Sequence, residues 1–459
     1  MNQALPNRCD AVSYQQLLDV ETNPVPTALR ECTDTELGLA PIDTARYLSR
    51  DYYHQEVEHL WPRVWQAVCR ESEIADPGDF YSHDIANYSV LVVRGEDGII
   101  HGHVNSCLHR GRKLKTGSGQ TRELKCPYHG FAWELDGRFK GAPCEWDFPH
   151  IDRENFSLDP VQVDCWGGWV FVNIDGKAPP LADYLGPIPQ HFAHWKPENT
   201  FKAFHLKKVL RCNWKLAHEA FIESYHTVAT HPQLLPYTAD ANSQYDCFDP
   251  HISRTITPMG SISPHLDVSE QACADQWFTN NDALEEGELP RLPEGQNARR
   301  FLSDFNRERF QPLFEENLGQ SATDSEMLDA ILYSVFPNFC PWGGFRPNLT
   351  YRFLPWEDSH EMCTMEIIMM MRFAPGGERP RDAEPRLFGP DEPFSGAEGI
   401  SKGLGRVFDQ DFSNLPQVHR GLKSLKSGQV NPGRYQEIRI RHFHQTLDSY
   451  LSPVAGTDR

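Results

Sequence analysis

Between Asp43 and Trp65 the side chains Tyr53, Val57, Leu60 and Trp61 recur at helical spacing, with Tyr47 a turn and a half earlier. An amphipathic helix is predicted there, ending near Pro62. The period then changes. Short apolar runs at Phe80–Ile85, Tyr88–Arg94 and Ile99–Val104 are separated by turn residues, and Glu96-Asp97-Gly98 reads as a hairpin turn. Phe131–Leu135 and Trp169–Ile174 continue this pattern, so a small antiparallel β domain is predicted over residues 60–180. Lys177 to Pro197, punctuated by Pro179, Pro180, Pro187, Pro189 and Pro197, suits a linker leaving it.

Helical spacing returns at Asn213–Pro232. Residues 236–330 are polar and proline-rich, with a helix predicted at Asn297–Phe310, and read as lids, pocket walls or solvated insertions. Strands follow at 331–336, 349–355 and 365–373. The last is apolar almost throughout and is expected to be central, with Met369 to Met371 in the core rather than lining a cavity. From Pro375 an exposed loop is expected, and the C-terminal stretch from Gln436 to Leu451 reads as a docking helix with His442 and His444 at its surface. Residues 1–39 are polar without a period and are expected to form a surface arm, or one that packs on a neighbouring subunit.

A chain of 459 residues is too long for one core and suits two domains. Its hydrophobic content of 39% and mean hydropathy of -0.56 are those of a globular protein in water. There is no apolar run near the roughly 20 residues of a membrane helix, and the N-terminus lacks a secretory pattern, so a cytoplasmic location is expected. The net charge of -20 argues against a nucleic-acid partner. Of twelve cysteines, ten are scattered and are expected to be buried thiols rather than disulfides.

The other two sit in paired motifs, Cys107-Leu-His109 and Cys126-Pro-Tyr-His129. One thiol and one imidazole from each pair is the ligand set of a Rieske [2Fe–2S] centre, where one iron takes two thiolates and the other two imidazoles. A structural zinc site could use the same residues, but such sites usually begin with paired cysteines and group the histidines. Gly111, Gly117, Gly119, Gly130 and Gly137 fit tight loops around a cluster. The run NSCLHRGRKL…CPYHGFAWELDG resembles the Rieske domain of the large catalytic subunit of ring-hydroxylating, non-haem iron oxygenases. Beside it, His109, Arg110, Arg112, Lys113 and Lys115 form a basic cluster, either a landing site for an acidic electron donor or solvated loop charge.

Within Asn213–Pro232, Glu219, Glu223 and His226 stand at i, i+4 and i+7, one stripe of a continuous helix. His231 precedes Pro232, which disfavours helical geometry there and lets its imidazole fold back beside His226. Two imidazoles can then hold one iron, and a 2-His-1-carboxylate triad needs one more ligand. Glu223 is nearest in sequence. The spacing of Glu219, Glu223, His226 and His231 also resembles the second motif of the oxygenase family. That resemblance implies a distant carboxylate as third ligand, here Asp411 ahead of Asn414-Leu415, with Asp409 the alternative if the register is off by two. It assigns Glu223 a bridging role between His226 and His129 of a neighbouring subunit. Residue 419 is His where many relatives carry Gln.

The resulting expectation is an α+β protein. An arm and helix (1–59) pack on the catalytic domain, an antiparallel-β Rieske domain spans 60–180, and a helix-grip-like catalytic domain, a sheet curled around a helix, spans 181–459. The resemblance implies a terminal oxygenase with a [2Fe–2S] cluster and Fe(II). It would use O2 and electrons from NAD(P)H, delivered by a separate ferredoxin or flavin reductase because no dinucleotide or flavin motif is apparent. The assembly implied is a homotrimer, with or without a β subunit. Its substrate would be a small organic molecule, aromatic or polycyclic, or a quaternary amine to be demethylated. The competing class is a Rieske electron-transfer protein without catalytic iron.

Overall fold

The computed structural model describes residues 12–284, 289–315 and 318–452. Spatially they divide into two units. One comprises Tyr53–Leu185 with Pro355–Ser359 and the residues from Tyr450, the other the residues up to Tyr52 with Gly186–Leu354 and His360–Ser449. No helix among the described residues is long and apolar enough to cross a membrane.

The division falls inside the first predicted helix, which is not continuous. It breaks at Ser49 into Ala45–Leu48 and Arg50–Gln55, then widens into a π turn, Glu56–Leu60, closed by Trp61 N–H donating to the Glu56 carbonyl at 3.2 Å. The extra residue in that turn rotates Glu56 inward beside Leu60 and Trp61 and leaves Val57 half-buried. A 3.6-residue period cannot foresee such a slip.

The unit beginning at Tyr53 is built on a seven-stranded sheet. Its strands run in the order Gln66–Arg70, Trp169–Asn173, Pro160–Trp166, Ile100–Val104, Tyr88–Arg94, Asp79–Ile85 and Ser118–Gln120. A three-stranded sheet, Leu124–Lys125, Ala132–Trp133 and Phe139–Gly141, completes it. The run Val90-Leu91-Val92-Val93 is apolar at every position because both of its faces are covered. Val90 and Val92 join a core with Val68, Val170 and Val172, while Leu91 and Val93 join Phe80, Leu114, Phe131 and Trp133 around Cys107 and Cys126.

The other unit carries an eight-stranded sheet ordered Gln244–Asp249, Ile252–Thr257, Ala330–Val335, Phe339–Gly343, Asn348–Pro355, Cys363–Arg372, Thr200–Leu210 and Pro385–Phe388. Cys363–Arg372 is interior, as its unbroken apolar pattern requires, and Met370 is in the core while Met369 and Met371 are half-buried. The loop expected from Pro375 ends in a short parallel edge strand whose first three side chains are exposed, so no alternation betrayed it. Helix Lys402–Ser424 packs on helix Trp214–Ala220 and on strand Thr200–Leu210.

Of the readings of the arm, the structure shows docking on its own unit rather than a free surface position, and the surface reading of His444 is corrected. The arm over 12–39 is docked: Tyr14, Leu18 and Leu29 are buried, and the Glu21 carboxylate accepts from Asp324 N at 2.8 Å and Ser325 N at 3.1 Å. Arg254, paired with Asp246, donates to Ala28 O at 2.6 Å and Glu31 O at 2.8 Å. The arm looks polar because backbone atoms do much of its docking. In helix Ile438–Leu451, His444 is buried and reaches Glu219 at 2.8 Å, and half-buried His442 donates to Asp249 O at 2.8 Å.

Among the imidazoles of this unit that burial holds far below their ordinary pKa of 6.5 are three, His218 at about 3 and His251 and His442 at about 4, with Arg439 depressing His218 and His442 further. They fold neutral, whereas in the unfolded chain they take up protons as pH drops below about 6.5. Stability should therefore fall as pH falls from 6.5 towards 4, by up to about 1.4 kcal/mol per pH unit for each imidazole. Denaturant melts at pH 7.5 and 5.0 measure this, and equal stabilities would mean that the three imidazoles bind protons in the fold.

Candidate metal centres

The two Cys-His loops are built alike. Cys107 N–H donates to Arg112 O at 2.9 Å and Cys126 N–H to Phe131 O at 2.8 Å, each five residues on. Gly111 N–H returns to Cys107 O at 2.8 Å and Gly130 N–H to Cys126 O at 3.1 Å, each four residues back. Both closures need a positive φ, 73° at Gly111 and 79° at Gly130, which glycine adopts without strain. Asn105 staples the first loop, its Oδ1 accepting from Leu114 N and Lys115 N and its Nδ2 donating to Lys115 O.

The four candidate ligands then come together. His109 and His129 lie 4.7 Å apart between ring centroids, His109 stacked on Phe131 at 4.5 Å. In each ring Nδ1 is shielded and, among the described residues, without a hydrogen-bond partner, although the rings themselves are only half-buried. Both thiols are buried, and desolvation, together with a hydrogen bond and charge coupling to Cys126, raises Cys107 despite backbone N–H donors at His109 and Arg110 that oppose the shift. Two unpartnered imidazole nitrogens in one close pair of rings, and two close thiols, fit a [2Fe–2S] cluster, whose irons would supply the missing partners for all four.

The second constellation departs from the continuous-helix expectation. Helix Trp214–Ala220 ends at Phe221, and a second helix, Thr227–Thr230, begins after His226, so Glu219, Glu223 and His226 do not share one helical stripe. Ser224 explains the break: its N–H donates to Tyr245 Oη at 3.1 Å and its hydroxyl pairs with Thr257 at 2.6 Å. Glu223, freed from the helix, accepts from His226 N at 3.0 Å and from His226 Nδ1 at 2.6 Å. Glu219 turns into the interior, to Tyr47 and His444. Pro232 ends the second helix, leaving His231 at φ -125° and ψ 54°.

His226, His231 and Asp411 converge, one candidate ligand atom from each lying within 4.8 Å of the others. Asp411 Oδ1 stands 2.9 Å from His231 Nε2 and 3.6 Å from His226 Nε2. Asp409, two residues earlier on the same helix, faces away and accepts from Phe394 N at 2.6 Å and Ser395 N at 2.9 Å. Sequence reading missed Gln410, whose Oε1 accepts from His231 Nδ1 at 3.0 Å and from Gln233 Nε2 at 2.6 Å. The clue available was only its place beside Asp411. With each Nδ1–H donated to an oxygen, both Nε2 lone pairs are turned towards Asp411. Burial would depress His226, but the Glu223 hydrogen bond and the charges of Glu223 and Asp411 outweigh it and push the imidazole up to about 9. A divalent cation would take that proton's place, and two imidazoles with one carboxylate fit Fe(II).

Comparison with known proteins bears on the family. Residues 64–152 match the Rieske [2Fe-2S] domain, and residues 191–453 the ring hydroxylating alpha subunit (catalytic domain). A glycine betaine monooxygenase oxygenase subunit from Pseudomonas aeruginosa is 31% identical over 213 residues, 46% of this chain and 48% of that one. A chlorobenzene dioxygenase subunit alpha from Cupriavidus sp. is 34% identical over 195 residues, 41% and 43% of the two chains. The chain thus spans about half the length of the curated relatives it matches. Among solved structures, a quaternary ammonium Rieske monooxygenase in complex with L-carnitine aligns with a TM-score of 0.62 at 16% identity, over 91% of this chain and 97% of that one. Naphthalene 1,2-dioxygenase aligns with a TM-score of 0.60 at 17% identity, over 91% and 93%. Both likenesses are of fold. Because the catalytic-domain match alone runs over more than half of the sequence, with a Rieske domain ahead of it, the chain belongs to the ring-hydroxylating alpha-subunit family.

Proposed function

We propose that this chain is the terminal oxygenase of a multicomponent system, with Fe(II) held by His226 Nε2, His231 Nε2 and Asp411 and a [2Fe–2S] cluster held by Cys107, His109, Cys126 and His129. When bound, the cluster supplies single electrons and the iron a place for dioxygen to be reduced and inserted into a small organic molecule. The electrons come from NAD(P)H through a separate ferredoxin or flavin reductase. The observation that carries this reading is the convergence of His226, His231 and Asp411, with both Nδ1 atoms already committed to oxygens.

The residues around the triad divide the work. Glu223 and Gln410 keep the proton of each imidazole on Nδ1, and Gln233 fixes Gln410. Phe221, stacked with Phe408 at 6.1 Å and against Tyr351 at 5.1 Å, forms an aromatic wall that would offer ring faces to a substrate. Such faces suit hydroxylation or cis-dihydroxylation of an aromatic or polycyclic compound. They equally suit a methylammonium group, through cation–π attraction, and the glycine betaine monooxygenase relative favours that second reading, a quaternary-amine monooxygenase. The resemblance implies a homotrimer in which Glu223 of one copy meets His129 of the next. Tyr128 and Tyr225, which flank those residues and are 55% and 57% exposed, support an interface there.

Anaerobically purified protein should contain about three irons to two acid-labile sulfides. Asp411→Ala and His226→Ala should lower this to about two to two, abolish turnover and leave the Rieske spectrum unchanged. A wild-type ratio of two to two that added Fe(II) does not change would leave an electron carrier, and unaffected turnover in either variant would remove the triad.

Gln410→Leu tests the second support. Losing the acceptor for His231 Nδ1–H should weaken Fe(II) binding by roughly 10–100-fold without changing the sulfide content. An unaltered Fe(II) titration would show that Gln410 does not orient the ligand.

A further inference from the structure

The turn between strands Phe339–Gly343 and Asn348–Pro355 carries a cation that the fold leaves unspent. Elsewhere in this unit four guanidiniums meet carboxylates, Arg254 with Asp246, Arg299 with Asp329, Arg307 with Asp324 and Arg352 with Glu366, and the buried Arg439 and Arg441 are answered by hydroxyl and carbonyl oxygens. Arg346 forms no hydrogen bond or ion pair among the described residues, and its Nε is shielded from solvent without a partner. Asp329 is the acid whose charge it feels most, and both Asp329 oxygens are already taken by Arg299, at 2.6 and 2.8 Å. Burial depresses Arg346, yet a guanidinium keeps its charge at neutral pH.

A second unspent donor stands beside it. Arg346 lies over the ring of Trp342 at 5.3 Å, and Trp342 Nε1 is likewise buried without a partner. The same turn leaves one acceptor unused, Asn348 Oδ1, while Asn348 Nδ2 donates to Gly344 O at 3.0 Å. A fixed cation and two free donors against one acceptor is a local demand for an anionic oxygen pair.

This demand is sited by the substrate wall. Trp342 contacts Tyr351 at 5.9 Å, and Tyr351 contacts Phe221 at 5.1 Å and Phe408 at 6.2 Å, one helical turn before Asp411. Burial raises the Tyr351 hydroxyl most, Asp411 raises it further and Arg346 lowers it, so the phenol lies within reach of both charges. On the far side, Arg346 acts on Tyr237, which lies six residues beyond His231.

We propose that Arg346 and Trp342 form a carboxylate-recognition subsite and that the molecule oxidised by this enzyme carries a carboxylate at the end remote from the iron. The proposal rests on the oxygenase reading and narrows it. An uncharged hydrocarbon would leave Arg346 Nε and Trp342 Nε1 shielded and unanswered, and a simple cationic amine would be repelled by the guanidinium. An aromatic acid, or a betaine whose ammonium end faces the aromatic rings, satisfies both ends of the site.

Calorimetric titration of the holoenzyme with two matched pairs, benzoate against benzamide and acetate against acetamide, tests this without turnover. At least one carboxylate should bind about tenfold or more tighter than its amide, the difference a charge-assisted hydrogen bond makes. Arg346→Gln should bring that ratio to within about twofold, Arg346→Lys should keep part of it, and Trp342→Phe should reduce it, with melting temperature and iron-to-sulfide ratio unchanged as evidence of folding. Amides that match their acids in both pairs, or a preference that survives Arg346→Gln, would overturn the subsite. The metal ratio is read on the same samples, so loss of the oxygenase reading would show there, independently of the ligand isotherms.

Discussion

The mononuclear site depends on one constraint: an imidazole can present a lone pair in a fixed direction only if its other nitrogen is spent elsewhere. His226 spends its Nδ1–H on Glu223 and His231 spends its own on Gln410, which is itself gripped by Gln233. Both Nε2 atoms then face Asp411, and the hydrogen bond from Glu223 with the charges of Glu223 and Asp411 outweighs the burial of His226 and favours positive charge at that point. The break after helix Trp214–Ala220 serves the same end, because in a continuous helix the His226 N–H would bond the Ile222 carbonyl, whereas here it is free to meet the Glu223 carboxylate.

The Rieske loops solve a related problem by local means. Each is closed by its own backbone bonds and a positive-φ glycine, so the ligand pairs are held by a few consecutive residues over a core shared with Phe131 and Trp133. Neither Nδ1 has a protein partner among the described residues. Here the rings are aimed by packing and loop closure, whereas in the mononuclear site they are aimed by hydrogen bonds.

That difference explains what could be read in the sequence. The pairing of His109 with His129 and of Cys107 with Cys126 was legible because loop geometry, spacing and ligand chemistry are written within one short stretch. The strand Cys363–Arg372 was legible because an interior strand is apolar on both faces. Asp411 needed family resemblance, since nothing local separates it from Asp409; the distinction is the helix face each occupies. The helical stripe through Glu219, Glu223 and His226 misled, because hydrogen bonds from Ser224 to Tyr245 and Thr257 override it. His444 and Arg346 were invisible for the same reason: their meaning lies in which distant groups do, or do not, meet them.

The buried network of Tyr47, Glu219 and His444 has a consequence for biogenesis. Its members come from widely separated parts of the sequence, so during synthesis the iron-binding unit cannot close until the residues around His444 have left the ribosome. Both sheets of the cluster-binding unit lie within residues 66–173 and can form long before that. Closure is therefore ordered along the chain: the sheets around the cluster loops need only residues 66–173, whereas the network behind the triad waits for His444.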